Sequence, residues 1–439
     1  MGTENQLKRS LSFWPVYAAC FGIAISGSTL MLVGNLYGMA GMPCIVSQAI
    51  AAGLMLLVIL AFSELSTMMP VAGGIGAYTK EALGIAPSAM VTLLYFVATT
   101  SLAVNALVDG SILNEFVPSI SSLTWAIILV TFFLILNLFG NKIIAFGLTF
   151  GIIIVIGSYV LMAILAFCGV GRIEMDYSKL GDWTGLQPSN VIAFSMIAIW
   201  FFVGMEMATP LAEEVKKPEK TLPKAMIAGL LTIFTIQLLL GPAMYAGLNT
   251  GELTGMAPHF VFATKLFGNF GRYWVLIIQL ALEFTTIGGV MFGISRLIYG
   301  ESRDKIFPNI LSWLHPKYKT PWVSLFLIYI AVMIAIFVGA PLVLLSISSM
   351  LFFFIYLVVF IDLLILRNKK PDTIRPFFAG GPFKFPVVAI LGIIAIIFVL
   401  TGNAIEDPAI ISVGLPVVGI CYLIPLLFYY LKRRKEHLE

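Results

Sequence analysis

The chain has 439 residues, of which 60% are hydrophobic and only 11% are charged. Together with a mean hydropathy of +1.01, this excludes a soluble globular protein, which needs a largely polar surface. The net charge of +4 is small and requires neither nucleic acid nor an acidic partner. We therefore expect a protein that lies in a lipid bilayer and has no nucleic-acid partner.

Twelve apolar runs are long enough to cross a bilayer as helices, for which about 20 apolar residues suffice. They predict an all-α membrane protein with twelve transmembrane helices, here called spans one to twelve. In chain order the spans cover 14–38, 43–69, 86–111, 122–140, 143–170, 189–211, 224–248, 271–299, 321–339, 342–366, 384–403 and 409–431.

Lysine and arginine are distributed unequally between the two faces that these spans define. If the N-terminus is cytoplasmic, 22 of the 26 basic residues fall on the inner face and 4 on the outer face. Because cytoplasmic loops are enriched in Lys and Arg, both termini are expected in the cytoplasm. The pattern predicts a multi-pass protein of the cell membrane.

Span one contains a segment that is unsuited to a continuous helix. From Gly22 to Thr29 the chain reads Gly-Ile-Ala-Ile-Ser-Gly-Ser-Thr, with two glycines and three hydroxyls. Glycine costs about 1 kcal/mol relative to alanine in a helix interior, and opened backbone inside a membrane must line a cavity or pack on protein. We expect a broken helix whose free amides and carbonyls face a ligand, as in secondary transporters. The alternative is an unbroken helix whose small residues allow neighbouring helices to pack closely.

Span six is interrupted in a similar way, by Gly204 and Glu206 a few residues before Pro210. Broken spans one and six hold corresponding places in two sets of five, which predicts an inverted 5+5 repeat with the site between the halves. The first half would cover 14–170 and the second 189–366. Spans eleven and twelve would follow at 384–431, with cytoplasmic tails at 1–13 and 432–439.

Three stretches resemble the permeases of the amino acid, polyamine and organocation superfamily. They are Ser26-Gly27-Ser28, then Phe-Ser-Glu-Leu and Pro-Val-Ala-Gly-Gly within 62–78, and Phe-x-Gly-x-Glu with Glu-Glu-Val-Lys-Lys-Pro-x-x-Thr-x-Pro within 202–223. A weaker match covers 302–308. The resemblance implies a secondary transporter, a permease or exchanger, that carries amino acids by alternating access. The usual span-one turn has glycines where serines stand here, and the three stretches together have some likeness to the ethanolamine-permease branch. Transport of amines such as ethanolamine or polyamines is therefore the alternative.

The resemblance also implies a substrate site between the two breaks. Amides at the start of the second half of span one would face a carboxylate, and carbonyls at the ends of the opposite half-helices would face an ammonium group. Trp200 and Phe202 would shape the side-chain pocket, with Trp200 closing over the substrate; the alternative is that both rings only pack. The expected substrate-binding residues are Ala24, Ile25, Ser26, Gly27, Ser28, Trp200, Phe202, Val203, Gly204 and Glu206.

Carboxylates within membrane spans are costly and indicate function by default. Glu206 ranks first because it lies beside the span-six break, where it can bond free amides or carry a proton. The alternative is a neutral acid that only ties spans one and six together. Glu283 is a second candidate for substrate or proton binding. Glu64, Asp109 and Asp362 lie near span ends and are expected to be solvated or to extend toward the membrane surface.

The coupling ion is a separate question. Many members of the superfamily carry a lysine in span five in place of a sodium ion, but residues 146–170 contain no lysine or arginine. Either oxygens at Gly22, Ile25, Thr285 and Thr286 bind a cation, or that corner is empty in an exchanger, since helical threonines often bond their own helix. A proton on Glu206 or Glu283 is a further candidate. We expect exchange or proton-linked transport rather than sodium symport.

The residue inventory does not support an enzyme. The histidines at 259, 315 and 437 lack metal-ligand spacing, and the chain has no P-loop. The four cysteines form no CxxC pair, so they predict core packing rather than a disulfide framework or a zinc site. The expected partners are a small-molecule substrate, an amino acid or amine, together with the lipid bilayer and a coupling proton or sodium ion. No cofactor or metal is expected.

Overall fold

The computed structural model describes residues 9–139, 141–255, 257–339, 341–381, 386–406 and 408–436. Within these ranges the chain is helical, and its β-type pairing is an isolated bridge between Leu11 and Val215. Three of the basic or histidine residues considered above, Lys8, Lys384 and His437, lie outside the described residues.

The first five predicted spans correspond to helices α1 to α8, with span one and span three each divided in two. Helix α4 lies between spans two and three, and a short 3₁₀ segment, Thr99–Ser101, joins α5 to α6. The bounds are α1 (Phe13–Ala24), α2 (Gly27–Ala40), α3 (Cys44–Met68), α4 (Gly74–Leu83), α5 (Ile85–Ala98), α6 (Leu102–Phe116), α7 (Ser122–Leu138) and α8 (Asn141–Phe167).

The remaining spans correspond to α9 to α18. Short 3₁₀ segments lie at Tyr177–Gly181, Trp200–Phe202, Met205–Glu214 and Asn309–Ser312. The helices are α9 (Pro188–Ile199), α10 (Pro218–Gly247), α11 (Thr250–Leu253), α12 (Pro258–Phe267), α13 (Asn269–Thr285), α14 (Ile287–Arg303), α15 (Trp322–Val338), α16 (Pro341–Lys369), α17 (Val387–Glu406) and α18 (Pro408–Glu436).

Many of these helices are long and apolar enough to cross a membrane. Among the described residues seven meet both conditions, and the bent pair α1 and α2 makes an eighth if it counts as one span. Four shorter apolar helices lie where spans four, nine, eleven and twelve are predicted. The chain is therefore an all-α, multi-pass membrane protein. The count of twelve and the inverted repeat stay predictions.

Both predicted helix breaks are confirmed. Helices α1 and α2 meet at an angle of 51°, because Ile25 and Ser26 between them adopt extended backbone. In span six, Val203 is extended and Gly204 has φ of +102°, a left-handed conformation that side-chain-bearing residues rarely adopt. Neither segment can continue an α-helix, so backbone amides and carbonyls become free at both places.

Two further interruptions, in spans three and eight, were not predicted. In span three the hydroxyls of Thr99, Thr100 and Ser101 each donate to a carbonyl three residues earlier, at 2.5, 2.7 and 2.8 Å. Such local bonds compete with the regular α-helical pattern and accompany the 3₁₀ turn there. In span eight, Thr286 separates α13 from α14.

Three intramembrane acids are not solvated, so that prediction was wrong. Glu64, Asp109 and Asp362 are at most 2% exposed, because neighbouring segments cover the span ends at which they lie. Glu64 pairs with Arg367 at 2.6 Å, and Asp362 accepts a hydrogen bond of 2.6 Å from Thr79 on α4. Hydrogen bonds and ion pairs within the protein therefore replace water at these ends.

The end of span six is tied to span eight by two ion pairs. Glu214 contacts Arg296 at 3.0 Å with both side chains fully buried, and Glu213 forms a two-pronged pair with Arg303 at 2.9 and 3.0 Å. The N-terminal segment joins this region, because the Leu11 amide donates to the Glu214 carbonyl at 2.9 Å. The adjacent residues Glu213 and Glu214 therefore link the end of span six to span eight and to the N-terminal segment.

Candidate substrate site

The first break is held in shape by its own hydroxyl groups. Ser26 caps α2, since its side chain accepts a 3.2 Å hydrogen bond from the Thr29 amide. The Ser26 and Ser28 hydroxyls lie 2.9 Å apart, and the Thr29 hydroxyl donates to the Ala24 carbonyl at 2.8 Å. Serine at position 26 therefore serves as the cap of α2, and the Thr29 hydroxyl joins the two half-helices.

The start of α2 packs tightly against spans three and eight. The Ser28 amide donates to the Asn105 side-chain oxygen over 3.4 Å, longer than the usual range of about 2.7–3.2 Å. A Cβ atom on Gly27 would lie 2.7 Å from Gln279 Nε2 and 3.2 Å from Asp109 Oδ1. A side chain at position 27 would therefore displace the Gln279 amide, and the hydrogen bond from the Ser28 amide to Asn105 is weak.

The Glu206 side chain packs against the second break and is 1% exposed. One carboxylate oxygen accepts hydrogen bonds from the Gly204 amide and the Tyr356 hydroxyl, both at 3.2 Å. The other accepts from the Tyr95 hydroxyl at 3.3 Å. Glu206 therefore bonds an amide that the break sets free and joins span six to spans three and ten.

A cavity of about 50 Å³ lies between the two breaks. A single water needs about 10–15 Å³, so the cavity suits a small ligand. None of the described residues that line it carries a charge. They are Ala24, Ser26, Thr29, Tyr95, Ala98, Thr99, Ser101, Leu102, Asn105, Trp200, Val203, Gly204, Met207, Thr286, Val290, Ile294 and Phe352.

The expected substrate-binding residues divide into two groups. Ala24, Ser26, Trp200, Val203 and Gly204 line the cavity. The others lie in the same two breaks but are not among the lining residues: Ile25, Gly27, Ser28, Phe202 and Glu206. The structure therefore brings both breaks to one cavity.

The Phe202 ring points away from the cavity. It is fully buried and packs against Phe234 with the ring centres 6.4 Å apart. Trp200 instead meets Phe352 of span ten, with ring centres 6.2 Å apart and planes at 72°. Phe352 in turn contacts Tyr95 edge-on at 5.8 Å. These three rings form one wall of the cavity.

Sequence reasoning missed the contributions of spans three and ten. Asn105, Tyr95 and Phe352 lie in apolar runs, and which side of such a helix faces the site depends on packing. Asn105 carried a usable signal, because a side-chain amide in the middle of a span is costly unless it serves a function. The two rings carried none.

The candidate coupling corner lies beside span eight. A Cβ on Gly22 would come within 1.9 Å of the Thr285 side chain, so only glycine fits. The Thr285 hydroxyl donates to the Leu282 carbonyl at 2.5 Å. The Thr286 hydroxyl lies 3.2 Å from the carbonyls of both Gly22 and Leu282, and 3.5 Å from that of Ile25. Backbone carbonyls thus engage both hydroxyls, and we assign no cation to this corner.

A profile of the family described as "Amino acid permease" matches residues 11–431. The chain belongs to this family. It is a membrane transport protein and not an enzyme, and the resemblance to the amino acid, polyamine and organocation superfamily is confirmed.

Individual relatives are similar in sequence to this chain over most of its length. The serine/threonine exchanger SteT of Bacillus subtilis (strain 168) is 25% identical and covers 98% of this chain and 99% of its own length. The branched-chain amino acid permease BcaP of the same organism is 24% identical, covering 88% of this chain and 87% of its own. Both are named for amino acids, so the amine alternative is not favoured.

A solved structure shares the fold. It is the substrate-bound, outward-open state of a Na⁺-coupled sialic acid symporter, with a TM-score of 0.55 and 16% sequence identity, covering 90% of each chain. At this identity the likeness concerns the arrangement of helices alone.

Proposed function

We propose that this chain is a secondary transporter that carries a small neutral amino acid across the cell membrane by alternating access. The observation that supports this most directly is the cavity that both helix breaks line, with Ala24 and Ser26 from span one and Val203 and Gly204 from span six. Broken helices of this kind bring opposite ends of helix dipoles to one ligand.

The cavity offers both poles that a zwitterion needs. Helix α1 and the turn Trp200–Phe202 end beside it with carbonyls that lie outside the regular α-helical bonding pattern, and these suit an ammonium group. Helix α2 begins beside it, and its first-turn amides, among them the weakly bonded Ser28 amide, suit a carboxylate. In this proposal the carboxylate replaces Asn105 as the partner of the Ser28 amide. An amine without a carboxylate would leave these amides without a strong partner.

The residues that line the cavity limit which substrate side chains can bind there. Cationic or anionic side chains would be buried there without a counter-ion, which is costly. The small volume and the wall of Trp200, Phe352 and Tyr95 favour a short, uncharged side chain. The amino acids named for the two Bacillus relatives are also uncharged, which supports this choice.

Exchange or proton-linked uptake is the proposed form of coupling, with both termini in the cytoplasm. Thr285 and Thr286 bond to backbone carbonyls, which favours a corner without sodium. The exchanger among the relatives is consistent with exchange. Uptake that requires sodium and is lost in Thr286→Val would contradict this choice.

A binding panel tests the proposed substrate class. Thermal stabilisation of the purified protein would be measured with alanine, serine, threonine, lysine, ethanolamine and putrescine. We expect saturable stabilisation by the small neutral amino acids and none by the amines or by lysine. Ala98→Trp fills the cavity and should remove the effect, whereas Leu231→Trp on the exposed surface should not. Stabilisation by ethanolamine but not by alanine would show that the substrate is an amine.

A further inference from the structure

A second group of polar side chains is buried behind the start of α2, away from the cavity. It brings together Asp109 of α6, Gln279 and Glu283 of α13, Tyr159 of α8 and His259 of α12. Each of these side chains is at most 2% exposed. Four helices thus contribute to one buried polar cluster, which the proposed substrate site does not use.

Several atoms of this cluster have no hydrogen-bond partner among the described residues. Gln279 Nε2 donates to Asp109 Oδ1. Glu283 lies one helical turn after Gln279 on the same face of α13, where its carboxyl interacts electrostatically with that of Asp109. The second Asp109 oxygen, both Glu283 oxygens and the Tyr159 hydroxyl are unpartnered. Ionised carboxylates buried in this way cost several kcal/mol, so the cluster favours a bound proton or cation that neutralises charge.

The groups that face the two acids supply no positive charge. Tyr159 contributes a neutral phenol from α8. Burial lowers the pKa of His259 to about 4, so its imidazole is neutral near pH 7. Within the described residues no set of three or more His, Cys, Asp or Glu side chains could hold a metal ion. Two carboxyls in reach of each other cannot both be ionised without a cation, and a shared proton satisfies them without extra space.

The cluster contacts the substrate site through α2. Asp109 lies one helical turn after Asn105, so both point from the same face of α6. Asn105 accepts a hydrogen bond from the Ser28 amide, and Asp109 Oδ1 lies 3.2 Å from the place of a Cβ on Gly27. A negative charge on Asp109 therefore interacts electrostatically with the positive, N-terminal end of the α2 helix dipole.

We propose that Asp109 and Glu283 form a proton-binding site that is coupled to amino-acid binding. This rests on the proposed function, because the substrate carboxylate is taken to bind the amides of α2. That carboxylate and an ionised Asp109 would compete for the same positive helix end. Binding of the amino acid therefore favours transfer of a proton from the solution to the pair, and by linkage protonation tightens amino-acid binding.

Calorimetry of amino-acid binding tests the proposal. Titrations with serine or alanine, in two buffers of different ionisation enthalpy, report the protons taken up on binding. We expect uptake of up to one proton per amino acid near neutral pH. The apparent Kd should fall by up to about tenfold per pH unit on acidification, the limit for one linked proton. Asp109→Asn and Glu283→Gln should each bind without proton uptake, whereas Glu174→Gln, in the exposed outer loop, should match the wild type.

The outcomes separate this inference from the proposed function. Wild-type protein that binds none of the amino acids would refute the proposed function. Wild-type protein that binds them without proton uptake would refute the proton site alone. So would full proton uptake by Asp109→Asn, or by Glu283→Gln if the first variant does not fold. Binding that depends on sodium, with that dependence lost in either variant, would identify a cation site instead.

Discussion

At the scale of single residues, Gly204 determines the shape of the second break. Its φ of +102° costs an L-amino acid about 1–2 kcal/mol. We expect Gly204→Ala to weaken or abolish amino-acid binding, because the backbone would relax and the amide would leave Glu206. Thermal unfolding and binding would be measured together. Gly53→Ala is the matched control, since a Cβ there meets nothing within 4 Å. Normal binding by Gly204→Ala would refute the role of this conformation.

Trp200 is the second residue to test. Its ring packs edge-on against Phe352 at one side of the cavity, where it can cover a bound substrate. We expect Trp200→Ala to reduce the rate of turnover by about tenfold or more and to change affinity less, because a gate acts mainly in occlusion. Trp313→Ala is the control, since Trp313 is 55% exposed. An equal loss in affinity and turnover would make Trp200 a binding residue instead.

Residue-level prediction succeeded where backbone chemistry decides the conformation. Gly204 and Ser26 could be assigned to breaks because glycine and capping serine have strong local preferences. Phe202 and Phe352 show the limit, since an aromatic ring in an apolar run fits lipid, core or cavity equally well. Which of these it meets depends on helix rotation, and this is set by distant contacts.

At the scale of elements, the buried Glu214–Arg296 pair links span six to span eight. Both side chains are fully buried, so Glu214→Gln would remove a negative charge that stabilises the buried guanidinium. We expect a loss of about 3–5 kcal/mol in stability, visible as a large drop in the melting temperature. Glu81→Gln removes an exposed pair with Lys370 and should cost about 1 kcal/mol or less. Equal effects of the two variants would contradict this.

Element-level prediction located the apolar helices and two of the four interruptions. The breaks in spans one and six follow from glycine beside polar residues. The turn at Thr99–Ser101 was missed because three hydroxyl residues in an apolar run are compatible with a continuous helix. The burial of Glu64 and Asp362 was missed because α4 and the Arg367 side chain approach these acids from far along the chain.

At the scale of the whole molecule, the distribution of basic residues predicts the orientation in the membrane. Lys217 and Glu252 flank α10, whose 30 residues span about 45 Å at 1.5 Å per residue. Cysteines introduced after Lys217 and after Glu252, in a background without the exposed Cys168, should react only from inside and only from outside, respectively. Labelling of both from one face would refute the orientation.

Whole-molecule prediction was strongest for the structural class and the family. The hydropathy that indicates a membrane protein and the motifs that indicate the family each draw on many residues. Prediction was weakest for the buried cluster around Asp109 and Glu283. These residues are 174 positions apart in the sequence, and no local pattern brings them together.

Counterflow tests most directly the central claim that the two breaks enclose the binding site of an amino acid transporter. Proteoliposomes loaded with unlabelled serine would be diluted into trace labelled serine. The account predicts a transient, saturable accumulation of label that empty liposomes and Ala98→Trp lack and Leu231→Trp retains. Label that equilibrates without accumulation, or accumulation that Ala98→Trp leaves intact, would contradict it.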